Sequence, residues 1–404
     1  MGTNYNHNKE INHYLIATDF FPKIGGAHYW LYQVYRNWPE KVIAYVQDYT
    51  NDRDLANLQT KFDKDNHGSL ILRRWDLSLC TDSLLYPGNF LKAWKLSRFL
   101  KKDSASKQIC LHVLRVIPDG YLAIFTKLLA PKLTRLIFYA HGEEFFVANT
   151  SREFRIFTKI ALKKADLVIA NSHFTERQIR EFLPEARVQV VHLGVNYRDF
   201  QISASKTLTY RHKWGFSPEA VVLLTVARME PRKNHARVLK VMAELCREGL
   251  PLGYVIIGTG EEEAHLKALV HKLGVSERVR FLGRVTEEEK ILAFNAADIY
   301  VMPSVQLGPM TEGFGIVFLE AAAAGIPSIA GNVGGQPEAV VHGKTGLVVD
   351  GTDEKELYDA VRYLVLNPAV RKEMGEKAKK WAKQHDWKII SQKIYKAVKL
   401  IALG

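Results

Sequence analysis

Short, β-rich apolar runs alternate with amphipathic stretches along almost the whole chain. Runs at 13–18, 42–46, 108–114, 135–140, 166–170 and 187–192 read as strands. After a looser stretch at 197–218, read as a linker, a second series follows at 221–226, 254–257, 279–282, 299–302 and 328–330. Helical patterns fall between them. One enters from the glycine turn DFFPKIGGAHYW and runs to about Trp38; others cover 91–102, 121–129, 152–164, 354–367, 369–385 and 387–403. Strand–helix alternation of this kind predicts parallel sheets covered on both faces. The fold class is therefore α/β, doubly wound, in two domains, 1–200 and 201–386. Residues 51–69 are polar and read as a surface excursion.

The densest stretch is 303–338, PSVQLGPMTEGFGIVFLEAAAAGIPSIAGNVGGQPE. Its spacing predicts a helix from about Gly315 to Ala324. Gly325 stands where a left-handed C′ residue belongs, and Pro327 prevents continuation. The first N–H groups of a helix lack intrahelical partners, and its dipole favours negative charge there. Gly313 and Gly315 let a phosphate approach the backbone. Glu312 lies in the loop before the helix and Glu320 about two turns in, a separation of about 12 Å. That is roughly the span of a nucleotide-sugar from hexose to ribose, so the two read as positioning groups rather than an acid/base pair. Arg228 and Lys233, just past strand 221–226, supply positive charge for a diphosphate. Fixed donors and cations aimed at a departing diphosphate stabilise the transition state more than the ground state. No metal is then required. His141 follows strand 135–140, where parallel sheets place ligand residues. Gly25-Gly26 follow the first strand, either as a phosphate-side loop or as a plain turn.

With 404 residues, 47% hydrophobic and 25% charged, the chain has the make-up of an ordinary globular protein. The net charge of +13 suits a polyanion, an anionic membrane surface or a phosphorylated substrate. Two basic helices, 91–102 and 152–164, carry part of it. Lys92, Lys95, Arg98 and Lys102 share one face of the first, with Ala93, Leu96, Phe99 and Leu100 on the other. The plain reading is a surface helix of an α/β domain; the alternative is an interfacial helix on an anionic membrane. Nucleic acid is disfavoured, because 43 acidic residues disperse the charge and no aromatic–basic strand motif occurs. Cys80, Cys110 and Cys246 are far apart and suggest neither disulfides nor a metal site, hence a reducing compartment. The N-terminus lacks an apolar signal core and no run reaches the ~18 apolar residues of a span. The expected location is cytoplasmic, with peripheral association at the inner membrane face as an extension. Two Asp-x-Asp pairs, Asp52/Asp54 and Asp63/Asp65, sit in a solvated charge run and read as structural.

Glu312-x7-Glu320 within EGFGIVFLEAAAAGIP, followed by Gly334-Gly335-Gln-Pro-Glu338 and His342-Gly-Lys-Thr-Gly346, resembles the retaining glycosyltransferases of family GT4. The likeness extends back to Arg228…Lys233, Gly258-x-Gly260, FLGRV, ADLVIANS, HGEE and PKIGG. It implies the GT-B fold: two Rossmann-like domains facing across a cleft, with the last helix, 387–404, returning to the N-terminal acceptor domain. It also implies roles. Glu312 would contact hydroxyls of the transferred sugar, and Phe314, Gly315 and Ile316 would present backbone N–H groups to sugar and phosphates. Glu320 would bind the ribose, and Arg228 and Lys233 the diphosphate. Gly258 and Val285 would join the nucleotide contacts, Gly25 and Gly26 would close on the donor, and His141 would face the sugar. The implied reaction is metal-independent, retaining transfer of a hexose from a UDP- or GDP-sugar. Its acceptor would be a glycan, a lipid-linked sugar or a small molecule, in cell-envelope synthesis. The loop VQLGPMT is longer than the commonest form and resembles the lengthened version in the phosphatidylinositol mannosyltransferase-like branch. His28 departs from the glutamate common two places after the glycine pair. A sugar-nucleotide epimerase or hydrolase on the same fold is the alternative.

Overall fold

The computed structural model describes residues 11–22, 25–66, 68–80, 83–105 and 107–403. The polar N-terminal stretch and Lys23-Ile24 of PKIGG lie outside the described residues. The chain divides into two compact units, 1–193 with 387–404, and 194–386.

The first unit holds a seven-stranded sheet. Its strands are β1 (Ile11–Ala17), β2 (Val42–Gln47), β3 (Leu70–Trp75), β4 (Gln108–Val113), β5 (Thr134–Ala140), β6 (Leu167–Ala170) and β7 (Val188–Val190). All pair in parallel, in the order β3-β2-β1-β4-β5-β6-β7. The second unit holds six parallel strands: β8 (Val221–Val226), β9 (Leu252–Ile257), β10 (Val279–Gly283), β11 (Ile299–Met302), β12 (Ser328–Gly331) and β13 (Gly346–Val349). Their order is β10-β9-β8-β11-β12-β13. Central strands such as β4 and β9 are buried along their whole length, as apolar runs covered on both faces require. Each sheet reverses its strand order once, between β1 and β4 and between β8 and β11. Loops leaving the carboxyl ends of the strands at such a reversal diverge and open a ligand crevice.

Three departures from the sequence reading have local causes. The segment 51–69 contains a helix, Ala56–Asp65, and is followed by strand β3. Asp52 starts the helix by accepting from the Asp54 and Leu55 N–H groups at 3.1 Å each. A buried Gln59 fixes it, accepting from Tyr49 N at 2.7 Å and donating to Asp48 Oδ1 at 2.9 Å. In β3, Arg73 and Arg74 mask the strand pattern but are tied inward. Arg74 Nη2 donates to Asp63 Oδ1 at 2.6 Å, and Arg73 Nη1 to the Tyr45 hydroxyl at 2.7 Å. Asp52 and Asp63 are thus engaged within the protein. The stretch 197–218 is not a loose linker: it forms a 3-10 turn, Tyr197–Phe200, and a helix, Ala204–His212. Arg211 anchors that helix to the second unit through Ala296 O at 2.7 Å and Ala220 O at 2.6 Å.

The last helix, Trp387–Leu403, belongs to the first unit. It buries Trp387, Ile390, Ile394 and Val398. Ser391 Oγ donates to Val34 O at 2.7 Å, and Arg135 Nε donates to Ile401 O at 3.1 Å.

Candidate active site

In the second unit the loops after β8 and β11 leave the sheet side by side. Pro231–Lys233 forms a 3-10 turn. Asn234 then adopts φ 66°, a left-handed conformation asparagine tolerates better than most residues. Its side-chain amide donates to Pro303 O at 3.1 Å and Gly351 O at 2.7 Å. Val305 N donates to Arg232 O at 2.9 Å. The cationic loop is therefore fastened to the loop that carries Glu312.

These links bring the charges together. Lys233 Nζ donates to Glu312 Oε2, and Arg232 Nη1 donates to the same oxygen at 3.2 Å. Arg232 Nε donates to Glu230 Oε2 at 3.0 Å, whose other oxygen pairs with Arg228 Nη1 at 2.7 Å. Three cations thus face two carboxylates. The Lys233 and Arg232 side chains are 9% and 10% exposed, whereas Arg228 is 72% exposed and reaches solvent. Burial works to raise the Glu312 pKa, but Lys233 and Arg232 overcome it and hold the carboxyl below its usual range.

Glycines shape the floor of the site. Gly315, with φ 89°, stands just before the helix Ile316–Ala324, and a Cβ there would strike the Phe318 ring. A Cβ on Gly334 would overlap Glu312 O, and one on Gly335 would overlap Gly313 O. Gly335 N donates to Glu312 O at 2.8 Å. The glycine pair is thus a backing for the Glu312 loop. Gln336, fully buried, clamps the ends of β11 and β12. Its Oε1 accepts from Ser304 N at 3.2 Å and Gly331 N at 3.0 Å, and its Nε2 donates to Ser304 O at 3.0 Å. The helix ends at Gly325, φ 85° and ψ 30°, as its sequence predicts.

At the far end, Glu320 Oε1 accepts from Lys290 Nζ at 2.7 Å, while its buried Oε2 has no partner. Burial pushes the Glu320 carboxyl up against the pull of Lys290. Lys290 is presented by the helix Glu287–Ala296, whose capping box joins Thr286 and Glu289. Gly258, with φ 130°, lies so close to Ala227 that a Cβ would overlap its carbonyl. Val285 is half-buried in the loop after β10.

In the first unit, His141 follows β5. Its Nε2 lies 3.2 Å from Leu114 O, its ring meets Trp30 edge-on at 4.7 Å, and its backbone N–H donates to Glu144 Oε1 at 2.9 Å. Since Leu114 O only accepts, Nε2 carries the proton. Burial, reinforced by Arg115, lowers the His141 pKa to about 3, so the ring is neutral. Burial raises Glu144 to about 7. Nearby, Asp119 accepts from Thr18 N at 2.5 Å and from Arg115 Nε at 3.2 Å, and Arg115 Nη2 reaches Asp19 at 3.3 Å. Gly25 is extended, with φ −163°, against the His28 ring, and a Cβ on Gly26 would enter open space.

Residues 207–381 match the model of glycosyl transferases group 1, and residues 71–198 match glycosyltransferase family 4. A GDP-mannose-dependent alpha-(1-6)-phosphatidylinositol monomannoside mannosyltransferase of Mycobacterium tuberculosis is 32% identical over 277 residues, covering 66% of this chain and 71% of the relative. The chain belongs to the family 4 glycosyltransferases. An N-acetyl-alpha-D-glucosaminyl L-malate synthase of Bacillus anthracis is 27% identical to this glycosyltransferase over 286 residues, 70% of this chain and 72% of the relative. The crystal structure of Anabaena HepE in complex with UDP superposes with a TM-score of 0.77 at 17% identity, covering 96% of this chain and 99% of that one. The glycosyltransferase therefore has the GT-B fold, with its two parallel sheets of seven and six strands.

Of the residues singled out from sequence, Lys233 and Glu312 touch directly, and Arg228 joins them through Glu230. Phe314, Gly315 and Ile316 lead from Glu312 into the helix, and Glu320 lies two turns along it. Sequence reasoning missed Glu230, Arg232 and Lys290. Glu230 and Arg232 both lie between the two chosen cations, so alternation of charge within RMEPRK was the available signal. Nothing local marks Lys290, which meets Glu320 across 30 residues.

Proposed function

We propose that this glycosyltransferase moves a hexose from a GDP- or UDP-sugar to a hydroxyl of a glycan or lipid-linked acceptor, with retention of anomeric configuration and no metal in the reaction. The observation that carries this reading is the cluster of Arg232, Lys233 and Glu312 at the strand-order reversal of the second unit, beside a glycine-led helix start. A diphosphate entering there meets a net positive charge and helix N–H donors. In the free protein Lys233 is held by Glu312. As the lysine turns to phosphate, Glu312 is released to accept from hydroxyls of the sugar. The unpartnered Oε2 of Glu320 offers an acceptor to the ribose.

Bond breaking is helped electrostatically. Arg228, Arg232 and Lys233 stabilise the charge that grows on the diphosphate as the glycosidic C–O bond lengthens. The acceptor hydroxyl then attacks from the same face and loses its proton to a departing phosphate oxygen. From the first unit, His141 takes part as a neutral ring. With Nε2–H donating to Leu114 O, its Nδ1 is an acceptor for a sugar hydroxyl, not a cationic acid. Gly25, Gly26, Gly258, Val285 and the Phe314–Ile316 backbone complete the proposed donor contacts.

The relatives bear on the donor and acceptor. The Mycobacterium tuberculosis protein is named for GDP-mannose and a phosphatidylinositol mannoside, whereas HepE was crystallised with UDP. A glycolipid acceptor also agrees with the surface of the first unit. On the helix Pro87–Asp103 and the turn before it, Leu85, Tyr86, Phe90, Leu91 and Trp94 are exposed among Lys92, Lys95 and Arg98. On the helix Arg152–Lys164, Ile156 and Ile160 are exposed among Arg155, Lys159 and Lys163. Phe99, on the apolar face read from sequence, is 38% exposed and meets the Tyr45 and Trp75 rings edge-on at 5.9 and 5.3 Å. Both helices pack on the helix Asp119–Leu129, through Phe90–Phe125 at 5.1 Å and Tyr121–Phe157 at 5.6 Å. An apolar patch ringed by cations suits the inner, anionic face of a membrane. Among the described residues no helix is long and apolar enough to cross one.

The test is transfer itself. Purified protein with GDP-mannose or UDP-glucose and a panel of glycan and glycolipid acceptors is expected to give an α-linked product from the α-linked donor, read by proton NMR. A β-linked product contradicts retention. Donor consumption that is equally fast without acceptor favours the hydrolase or epimerase alternative.

A further inference from the structure

β1 and β4 are neighbours, with His13 opposite Cys110 in the register. Alternate residues of a strand point to the same face of a sheet. Cys110 and His112 therefore project from the face that His13 occupies. All three are buried, with exposures of 3%, 0% and 0% for His13, Cys110 and His112. Their potential ligand atoms lie within 4.8 Å of one another, and His13 Nδ1 is 3.0 Å from His112 Nε2. Each ring is oriented from behind. His13 Nε2 is 3.0 Å from Glu40 Oε2, and Glu40 also accepts from Tyr395 of the last helix. His112 Nδ1 is 3.3 Å from the Tyr139 hydroxyl, itself 2.7 Å from the Tyr35 hydroxyl. The inward nitrogens are thereby turned toward one another and toward the thiol.

We infer that His13 Nδ1, His112 Nε2 and Cys110 Sγ bind one Zn(II) ion, a structural site in the first unit separate from the residues assigned to the sugar donor. Tetrahedral zinc, with Zn–N of about 2.0 Å and Zn–S of about 2.3 Å, requires ligand atoms roughly 3.3 to 3.6 Å apart. The nitrogens, 3.0 Å apart, need to part by a few tenths of an ångström, and the thiol, within 4.8 Å of them, needs to close to that spacing. Imidazole and thiolate ligands select zinc over the oxygen-preferring magnesium and calcium. A carboxylate behind the imidazole, as Glu40 stands behind His13, is a usual support of such a ligand. A fourth ligand, such as a water, would complete the tetrahedron. Binding releases the Cys110 proton to solvent, and the thiolate with the Glu40 carboxylate balances the two charges of the ion. The ion would join β1 to β4 and, through Glu40 and Tyr395, fix the last helix. The spacing of the cysteines alone conceals the site, because two of its ligands are histidines and one comes from the adjacent strand.

The experiment uses the full chain, produced in zinc-supplemented medium, dialysed, and analysed for metal. About one zinc per chain is expected in the wild type and less than a tenth of that in Cys110→Ser. Protein produced with Co(II) instead is expected to show a thiolate-to-cobalt charge-transfer band that Cys110→Ser lacks. Glu40→Gln, which keeps all three ligands, is expected to weaken zinc binding about 10- to 100-fold in competition with a chromophoric chelator. This variant supplies the comparison if Cys110→Ser does not fold. Wild-type zinc no higher than in folded Cys110→Ser, identical cobalt spectra, or unchanged affinity in Glu40→Gln would overturn the assignment.

Discussion

Buried charges at the candidate site come with partners, and Glu320 illustrates what each partner does. Lys290 holds one of its oxygens and leaves the other buried and open. Lys290→Met would strand a buried carboxylate, at a cost of about 3–5 kcal/mol. The double variant Lys290→Met/Glu320→Gln removes the charge as well and is expected to recover much of that loss. Urea unfolding of both variants checks this, and equal stabilities would mean that the pair is not coupled. Glu312 and Lys233 were legible because an eight-residue spacing and a basic loop after a strand are local patterns. Glu230, Arg232 and Lys290 were not, because their importance lies in pairing, and pairing across loops is fixed by tertiary contact. His141 was legible by position only. Its tautomer and neutral state depend on Leu114 O, on burial and on Arg115.

Among elements, the loop before the helix Ile316–Ala324 depends on the glycine pair that follows β12. Gly334 and Gly335 support Glu312 and Gly313 backbone to backbone. Gly335→Ala would push a methyl into Gly313 O. The overpacking should cost about 1–3 kcal/mol. It should also raise KM for the donor sugar, because Glu312 moves with the loop. Thermal unfolding and steady-state kinetics check both effects, and a variant with wild-type stability and KM would refute this supporting role. The buried central strands declared themselves as apolar runs. Two of the four outermost strands, β3 and β13, did not. β3 carries Arg73 and Arg74, and β13 opens with Gly346, which lies so close to Ser328 that a Cβ would overlap its carbonyl. The helix Ala56–Asp65 was hidden for the opposite reason: only Gln59 of its residues is buried, so no apolar stripe announces it.

For the molecule as a whole, a net charge of +13 does not by itself choose a partner. Its arrangement narrows the choice, since the exposed apolar side chains on the helices Pro87–Asp103 and Arg152–Lys164 stand among lysines and arginines. The protein should cosediment with vesicles containing anionic lipid and not with neutral ones, and salt should release it. Trp94→Ser with Ile160→Ser should weaken the association while leaving the fold intact. Equal binding to neutral vesicles, or none to anionic ones, would speak against a membrane-facing surface. The two-unit α/β architecture was legible from the alternation of strands and helices. The residues of 197–218 were not, because their helix shows solvent a mostly polar surface and buries only Tyr210.

The central claim is that Lys233, with Arg228 and Arg232, holds the diphosphate of a nucleotide-sugar beside Glu312. Calorimetric titration of GDP and of UDP into the wild type and into Lys233→Met tests it most directly. At least one nucleotide should bind the wild type, with affinity reduced at least about tenfold in the variant, or about 1.4 kcal/mol. Equal affinity in the two proteins would contradict the account.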